Sequence, residues 1–268
     1  MAMKKNGVLF FSCLCLLQAK EIRLIAPYFG SVRNQLSVEM MDDLKDTAPL
    51  GGIYFQWIQP EKYQWNVFLY QSRDINYSDI FGSHFIVDYY PGRCPCGGLL
   101  LVGAGFDYIG IKTDGDVSPG VSEFTMTTHI YAPYFRFGRY IDFGSSVKKV
   151  SLLPWGGIEM DMIRGDLGFI VPSMSPGMTV LPVDKEIKNE YTYALIGLNG
   201  KATLYHFSEV SVKYYRKFSL NNRNDLNVFS AMLNIYFNRH WGLSYRLKYM
   251  EVSVSTNTYH MVGAAFIF

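Results

Sequence analysis

Trp241 to Tyr249 (WGLSYRLKY) alternate residue by residue, and this stretch constrains the fold more than any other. On an extended strand Trp241, Leu243, Tyr245, Leu247 and Tyr249 share one face, with Gly242, Ser244, Arg246 and Lys248 on the other. Its length matches a tilted strand crossing a bilayer. In such a crossing, turning the basic face toward hydrocarbon costs ~2–4 kcal/mol per Arg or Lys near the midplane, so Arg246 and Lys248 are expected to point into a lumen. A soluble sandwich also alternates, but it puts polar residues outside and has no need of Tyr and Trp bracketing each apolar face.

Composition narrows the class. Aromatic residues make up 16% and hydrophobic residues 49% of the 268 residues, yet no unbroken apolar run after residue 20 reaches the length of a helical span. Hydrocarbon offers the backbone no hydrogen-bond partner, so only helices or edgeless barrels cross it. A closed sheet is what remains. The formal net charge of +2 is too small to suggest nucleic acid binding. One barrel, residues 20–268, uses the length without a second domain, and no linker, low-complexity tract or repeat beyond the strand period interrupts it.

The last nine residues, His260 to Phe268 (HMVGAAFIF), run Gly263, two residues, Phe266, one residue, Phe268. This pattern resembles the C-terminal assembly-signal strand of Gram-negative outer-membrane β-barrel proteins as a general class, with Met261 departing from the polar residue usual two places before the Gly. The resemblance implies an all-β, closed, antiparallel up-and-down transmembrane barrel. It also implies a monomer surrounded by outer-membrane lipids and inserted by the barrel-assembly machinery. At the other end, Lys4 and Lys5 precede the apolar run Gly7 to Leu17, too short to cross a core of ~30 Å as a helix. It reads as a signal peptide, residues 1–19, cut after Ala19, although Leu17 is larger than preferred. Cys13 and Cys15, followed by Leu14, Leu16 and Leu17, argue against a lipidated start. An uncleaved anchor helix is the alternative.

Working backward, Leu226 to Asn238 sets Phe229, Ala231, Leu233, Ile235 and Phe237 opposite Ser230, Met232, Asn234 and Tyr236, and a tight turn follows at Asn238, Arg239 and His240. Glu209 to Lys217 sets Val210, Val212 and Tyr214 opposite Ser211, Lys213 and Tyr215. Further crossings are expected near 190–205, 149–163, 121–137, 97–111, 80–90, 62–71 and 50–59. Segment 22–37 alternates poorly and is interrupted by Pro27. Counting it gives twelve strands, an even number that puts both termini in the periplasm; a ten-strand barrel with 22–48 outside the sheet is the alternative. Twelve strands make 38–49, 72–79, 112–120, 164–189, 218–224 and 254–256 extracellular. The periplasmic set, around 60, 91–96, 206–208 and 239, is shorter, with 138–148 as the exception.

The same phases place candidates in the lumen. Asp88, Asp107, Glu159 and Asp161, with His84 and His129, come from early and middle strands; Lys201, Lys213, Arg246 and Lys248 come from late ones. Acids are thus expected to face bases across the lumen. Either they set a transverse field in a narrow aqueous channel that selects small polar solutes, or they form an ion-pair network that fills the barrel. Twelve strands lie between small filled barrels and open porins of roughly 16–18 strands, so size does not choose.

Arg164 to Lys188, the longest expected loop, mixes Pro172, Pro176 and Pro182 with Phe169, Ile170, Val171, Met174, Met178 and Val180. It either folds inward to constrict the lumen, stands outside as a contact surface, or has no specific role. Cys94, Pro95 and Cys96 sit in a turn flanked by Gly92, Gly97 and Gly98. They form either a local disulfide, in an oxidising compartment, or two free thiols, and two thiols are too few for structural zinc. Some outer-membrane barrels of similar size are lipid hydrolases with Ser and His on the outward face. His260 is the one His whose phase points to lipid, but no Ser of matching phase is evident. Asp42 and Asp43 have no clear partner. No phosphate loop, HExxH site or dinucleotide fingerprint occurs, and neither cofactor nor metal is expected. The expected function is a narrow small-solute channel or a structural, loop-displaying barrel, with a lipid-modifying hydrolase as the alternative.

Overall fold

The computed structural model describes residues 22–268 apart from 37–43, 60–61, 74–77, 95–96, 116–122, 145–147, 172–180, 205–207, 222, 239 and 253–254. The expected signal peptide, Asp42, Asp43, Cys96 and Arg239 lie outside the described residues. Twelve strands run through the rest: β1 (Ile22–Leu36), β2 (Leu44–Gln59), β3 (Tyr63–Ser72), β4 (Ser78–Tyr89), β5 (Leu99–Gly115), β6 (Glu123–Gly144), β7 (Lys148–Val171), β8 (Leu181–Leu204), β9 (Ser208–Ser219), β10 (Leu226–Tyr236), β11 (Trp241–Val252) and β12 (Ser255–Ile267). Each pairs antiparallel with its chain neighbours, and β1 closes on β12 from Leu24↔Ile267 to Leu36↔Ser255. The ten-strand alternative is therefore excluded, since the uncertain first segment forms one side of the seam.

Proline explains why that segment alternates poorly yet still pairs. Pro27 has no N–H to give, and the β1–β12 ladder skips from Ile25↔Phe266 to Tyr28↔Gly263 while β2 continues opposite at Pro27↔Ile53. Pro133 behaves the same way: the β6–β7 ladder passes from Tyr131↔Met162 to Tyr134↔Glu159 without it. The outer ends of the closing strands, Ile22 of β1 and Ile267 of β12, lie at one rim, here the terminal rim; the opposite end is the loop rim.

Two expected connections are corrected. Segment 138–148 is mostly strand, because β6 runs on to Gly144 and β7 starts at Lys148, with the residue before the turn, Gly144, in the left-handed region at φ 97°. The exceptional long connection at that rim thus disappears. Likewise the loop 164–189 is not irregular throughout: Arg164↔Lys188 to Val171↔Leu181 continue the β7–β8 ladder. Its core, 172–180, lies outside the described residues. At the turn before β5, Gly97 and Gly98 adopt φ of 83° and 84°, a consecutive left-handed pair that other residues resist, and Cys94 N–H donates to the Gly98 carbonyl. The disulfide expectation falls outside the described residues, because Cys96 does.

The outer wall carries Phe29, Phe135, Phe137, Ile158, Ile196, Leu243, Val262 and Phe266, all largely exposed. Its apolar band has a sharp upper edge. Along β7 the outward residues are apolar from Val150 to Met162 and charged at Arg164 and Asp166; the neighbouring outward positions on the Arg164 rung are Gly110, His129 and Lys188. Elsewhere the same edge falls at Arg33, Arg216 and Glu251. Near the terminal rim aromatics cluster outward: Trp57 lies 5.1 Å from Tyr63 and 5.6 Å from Trp65, and Phe237 lies 4.8 Å from Trp241. Bands of this kind, apolar and about 25 Å tall between aromatic girdles, fit a lipid exterior.

Candidate functional site

Alternation carries every second side chain inward, and aromatics settle on inward glycines of the next strand. A Cβ on Gly82, Gly105 or Gly197 would strike the rings of Tyr70, Tyr134 and Trp155 respectively. These rings fill space that longer side chains on both strands could not share.

Toward the loop rim the interior gathers apolar side chains, interleaved with buried Asn34, Ser72, Thr128 and Asn257. Val32, Leu50, Ile80, Ile111, Ile163 and Met250 are buried to 3% exposure or less. Below that layer the lumen turns polar and ionic. Arg136 of β6 forks onto Asp88 of β4, Nη2 to Oδ2 at 2.6 Å and Nε to Oδ1 at 3.1 Å. Lys217 of β9 pairs with Glu159 and lies 3.6 Å from Asp161, both on β7. His84 meets Asp107 across β4–β5, and Lys201 reaches Glu209 at 2.8 Å. A neutral network surrounds Asn66, whose Oδ1 accepts from Tyr54 at 2.7 Å and Gln56 at 3.0 Å.

Three cations are held differently. Arg246 lies over the rings of Tyr54 (4.1 Å), Phe68 (4.9 Å) and Tyr28 (5.4 Å), three strands that it reaches across the barrel seam. Lys213 sits 4.7 Å from Tyr215 and 5.6 Å from Trp155, and Lys248 sits 5.9 Å from Tyr259. Ring faces stabilise a desolvated cation by ~0.5–2 kcal/mol but leave its charge unneutralised. Among the described residues no carboxylate stands within ion-pair distance of these three groups.

The polar half encloses a cavity of about 220 Å³. Its wall includes Gln64, Asp88, Asp107, Arg136, Ser230 and the three ring-held cations, and near the terminal rim Lys201 stays 40% exposed. A separate recess of about 460 Å³ opens by the loop rim between Tyr191, Tyr193, Arg223 and Glu251. The two share no lining residue, and the aliphatic layer lies between them.

Of the expected lumen residues, Asp88, Asp107, Glu159, Asp161, Lys201, Lys213, Arg246, Lys248 and His84 face inward. His129 does not. On β6 the inward set is even-numbered, from Met126 through Tyr134 and Arg136, so His129 faces out, where the Tyr108 hydroxyl meets its Nδ1 at 2.8 Å. The acids do find bases, but Arg136 and Lys217 rather than the expected Lys213, Arg246 and Lys248. Lys217 shares parity with Lys213, already placed inward, whereas Arg136 has the parity opposite to His129, whose expected inward placement hid it. His260 points outward as expected, its Nδ1 3.0 Å from the Tyr245 hydroxyl. The missing serine is Ser31, outward on β1 and directly opposite His260 across the seam. No sequence signal links two positions so far apart. Of the assembly-signal residues, Phe266 and Phe268 face out, while Gly263 faces in against Tyr28.

No protein-family model matches the sequence, and no curated protein does. Solved structures do match in fold. The translocator domain of the autotransporter NalP from Neisseria meningitidis superposes with a TM-score of 0.60 at 14% identity, covering 98% of this chain and 95% of that one. The β domain of the Bordetella autotransporter Brka covers 92% and 99% at 13% identity and a TM-score of 0.44. The CymD monoaromatic hydrocarbon channel covers 100% and 94% at 10% identity and a TM-score of 0.40. The fold is that of the Gram-negative outer-membrane β-barrels, a closed up-and-down barrel of twelve antiparallel strands.

Proposed function

We propose that this chain is an integral outer-membrane barrel that conducts nothing and acts through the sheet it holds above its loop rim. The single observation that carries the reading is the aliphatic layer from Val32 to Met250, which separates the two recesses. An aqueous path through it would have to pass these six buried apolar side chains, with only Ser72, Thr128 and Asn257 as polar neighbours on their rungs, and an apolar constriction of this kind stops ions. The short connections at the terminal rim support placing that rim, with both termini, in the periplasm. The barrel is a monomer in this reading, its wall covered by lipid. Reconstituted in planar bilayers, it should give no steady current. A stable conductance whose ion selectivity changes in Lys213→Glu or Arg246→Glu would establish the small-solute channel instead.

Ser31 opposite His260 supports a second reading, lipid hydrolysis at the outer wall. A serine needs a base beside it, and the base a group that fixes its orientation; here the Tyr245 hydroxyl holds the imidazole where a carboxylate or amide would ordinarily stand. Phospholipid turnover lost in both Ser31→Ala and His260→Ala would establish this activity. Turnover that is absent, or that persists in the variants, removes it.

A further inference from the structure

The polar chamber holds more positive charge than it neutralises. Five basic side chains line it, Arg136, Lys201, Lys213, Arg246 and Lys248, against three acidic ones, Asp88, Asp107 and Glu209, leaving two positive charges with His84 neutral. Asp88 is engaged by Arg136, Asp107 by His84 and Glu209 by Lys201. The surplus is concentrated on one wall. Lys213, Ser230 and Lys248 occupy a single rung of β9, β10 and β11, and Arg246 lies one inward step closer to the terminal rim, beside Met232. Neighbouring strands lie about 4.8 Å apart, so the two lysine backbones flank Ser230 at about 10 Å from each other.

That arrangement sets into one chamber the groups a small anion requires: two ammonium groups and a hydroxyl from a single rung, and a guanidinium one step below. Cation–π contacts position these groups, and apart from Arg246 Nη2, which donates to Met232 Sδ at 3.4 Å, they leave N–H donors for a ligand. The volume equals that of about seven waters, enough for one oxyanion with part of its hydration shell and too little for a macromolecule.

We propose that the chamber binds one small oxyanion carrying two negative charges, of phosphate or short dicarboxylate size, entering from the terminal rim. This goes beyond the closed-barrel reading and does not depend on its outcome, because the site occupies the chamber below the aliphatic layer whether or not that layer conducts.

Titration calorimetry of the detergent-purified full chain, in phosphate-free buffer, tests it with inorganic phosphate and, separately, malonate. One-site binding of at least one of them is expected, weakening as sodium chloride rises. The response of the two probes separates a phosphate from a carboxylate ligand. In Lys213→Gln and Lys248→Gln the affinity should fall at least about tenfold, while Lys62→Gln, in the turn before β3, should leave it unchanged. Faster gel migration before boiling confirms that each variant is folded. The emission of Trp155, whose ring lies 5.6 Å from the Lys213 Nζ, should respond to the bound anion in the wild type. Absence of binding for both probes overturns the proposal, as does binding that both lysine variants retain. Neither result alters the conductance test.

Discussion

At the scale of single residues, the interior separates two ways of keeping a charge out of water. Glu159, Asp161 and Lys217 are nearly inaccessible, with side-chain exposures of 1%, 1% and 5%. Removing one member of a buried ion pair leaves the others uncompensated and costs ~3–5 kcal/mol. Lys217→Met should therefore lower unfolding stability by that amount in urea titrations of the detergent-solubilised barrel. Adding Glu159→Gln and Asp161→Asn to it should recover part of the loss. Lys213, Arg246 and Lys248, half-buried against rings, should cost much less when replaced by Met. Strand parity made most of these side chains legible, because alternation fixes the face once one position is known. It failed at His129, where aromatics occupy both faces of β6 and the inward set is recognised only by the Asp88–Arg136 pair.

At the scale of elements, strand length departs most from expectation. β7 and β8 each hold 24 residues, about 80 Å of extended chain and, tilted by roughly 40°, about 60 Å of height, against an apolar band of about 25 Å. The surplus stands above the outward switch at Arg164, where Arg164 meets Glu190 at 2.7 Å and Lys188 meets Glu186 at 2.7 Å. Exposed pairs like these add at most ~1 kcal/mol, so the tall hairpin contributes little to closing the barrel. Replacing residues 166–186 with a short turn should leave heat-modifiable migration intact and remove the first site cut when protease is added to whole cells. Loss of the heat shift would show instead that the hairpin is needed for folding. Charged residues at 164–166 and 184–188, with Pro182, hid this sheet in the sequence, since they resemble a loop although they mark paired strands.

At the scale of the molecule, closure decides the rest. The seam brings Ser31 beside His260 and lets Arg246 of β11 reach Tyr28, Tyr54 and Phe68 on β1 to β3. It also collects aliphatic residues from six strands into one layer, and from this follows the expected lack of steady current. The sequence by itself determined the all-β class, the strand count with its two alternatives, and which face of most strands turns outward, because period-two alternation and the price of a charge in hydrocarbon are local properties. Only the tertiary structure decided which acid meets which base, where unneutralised cations gather, and that buried apolar side chains from six strands collect near the loop rim. Those outcomes depend on which strands stand opposite one another once the sheet is curved shut, and side-chain contacts across a lumen leave no periodic trace along the chain.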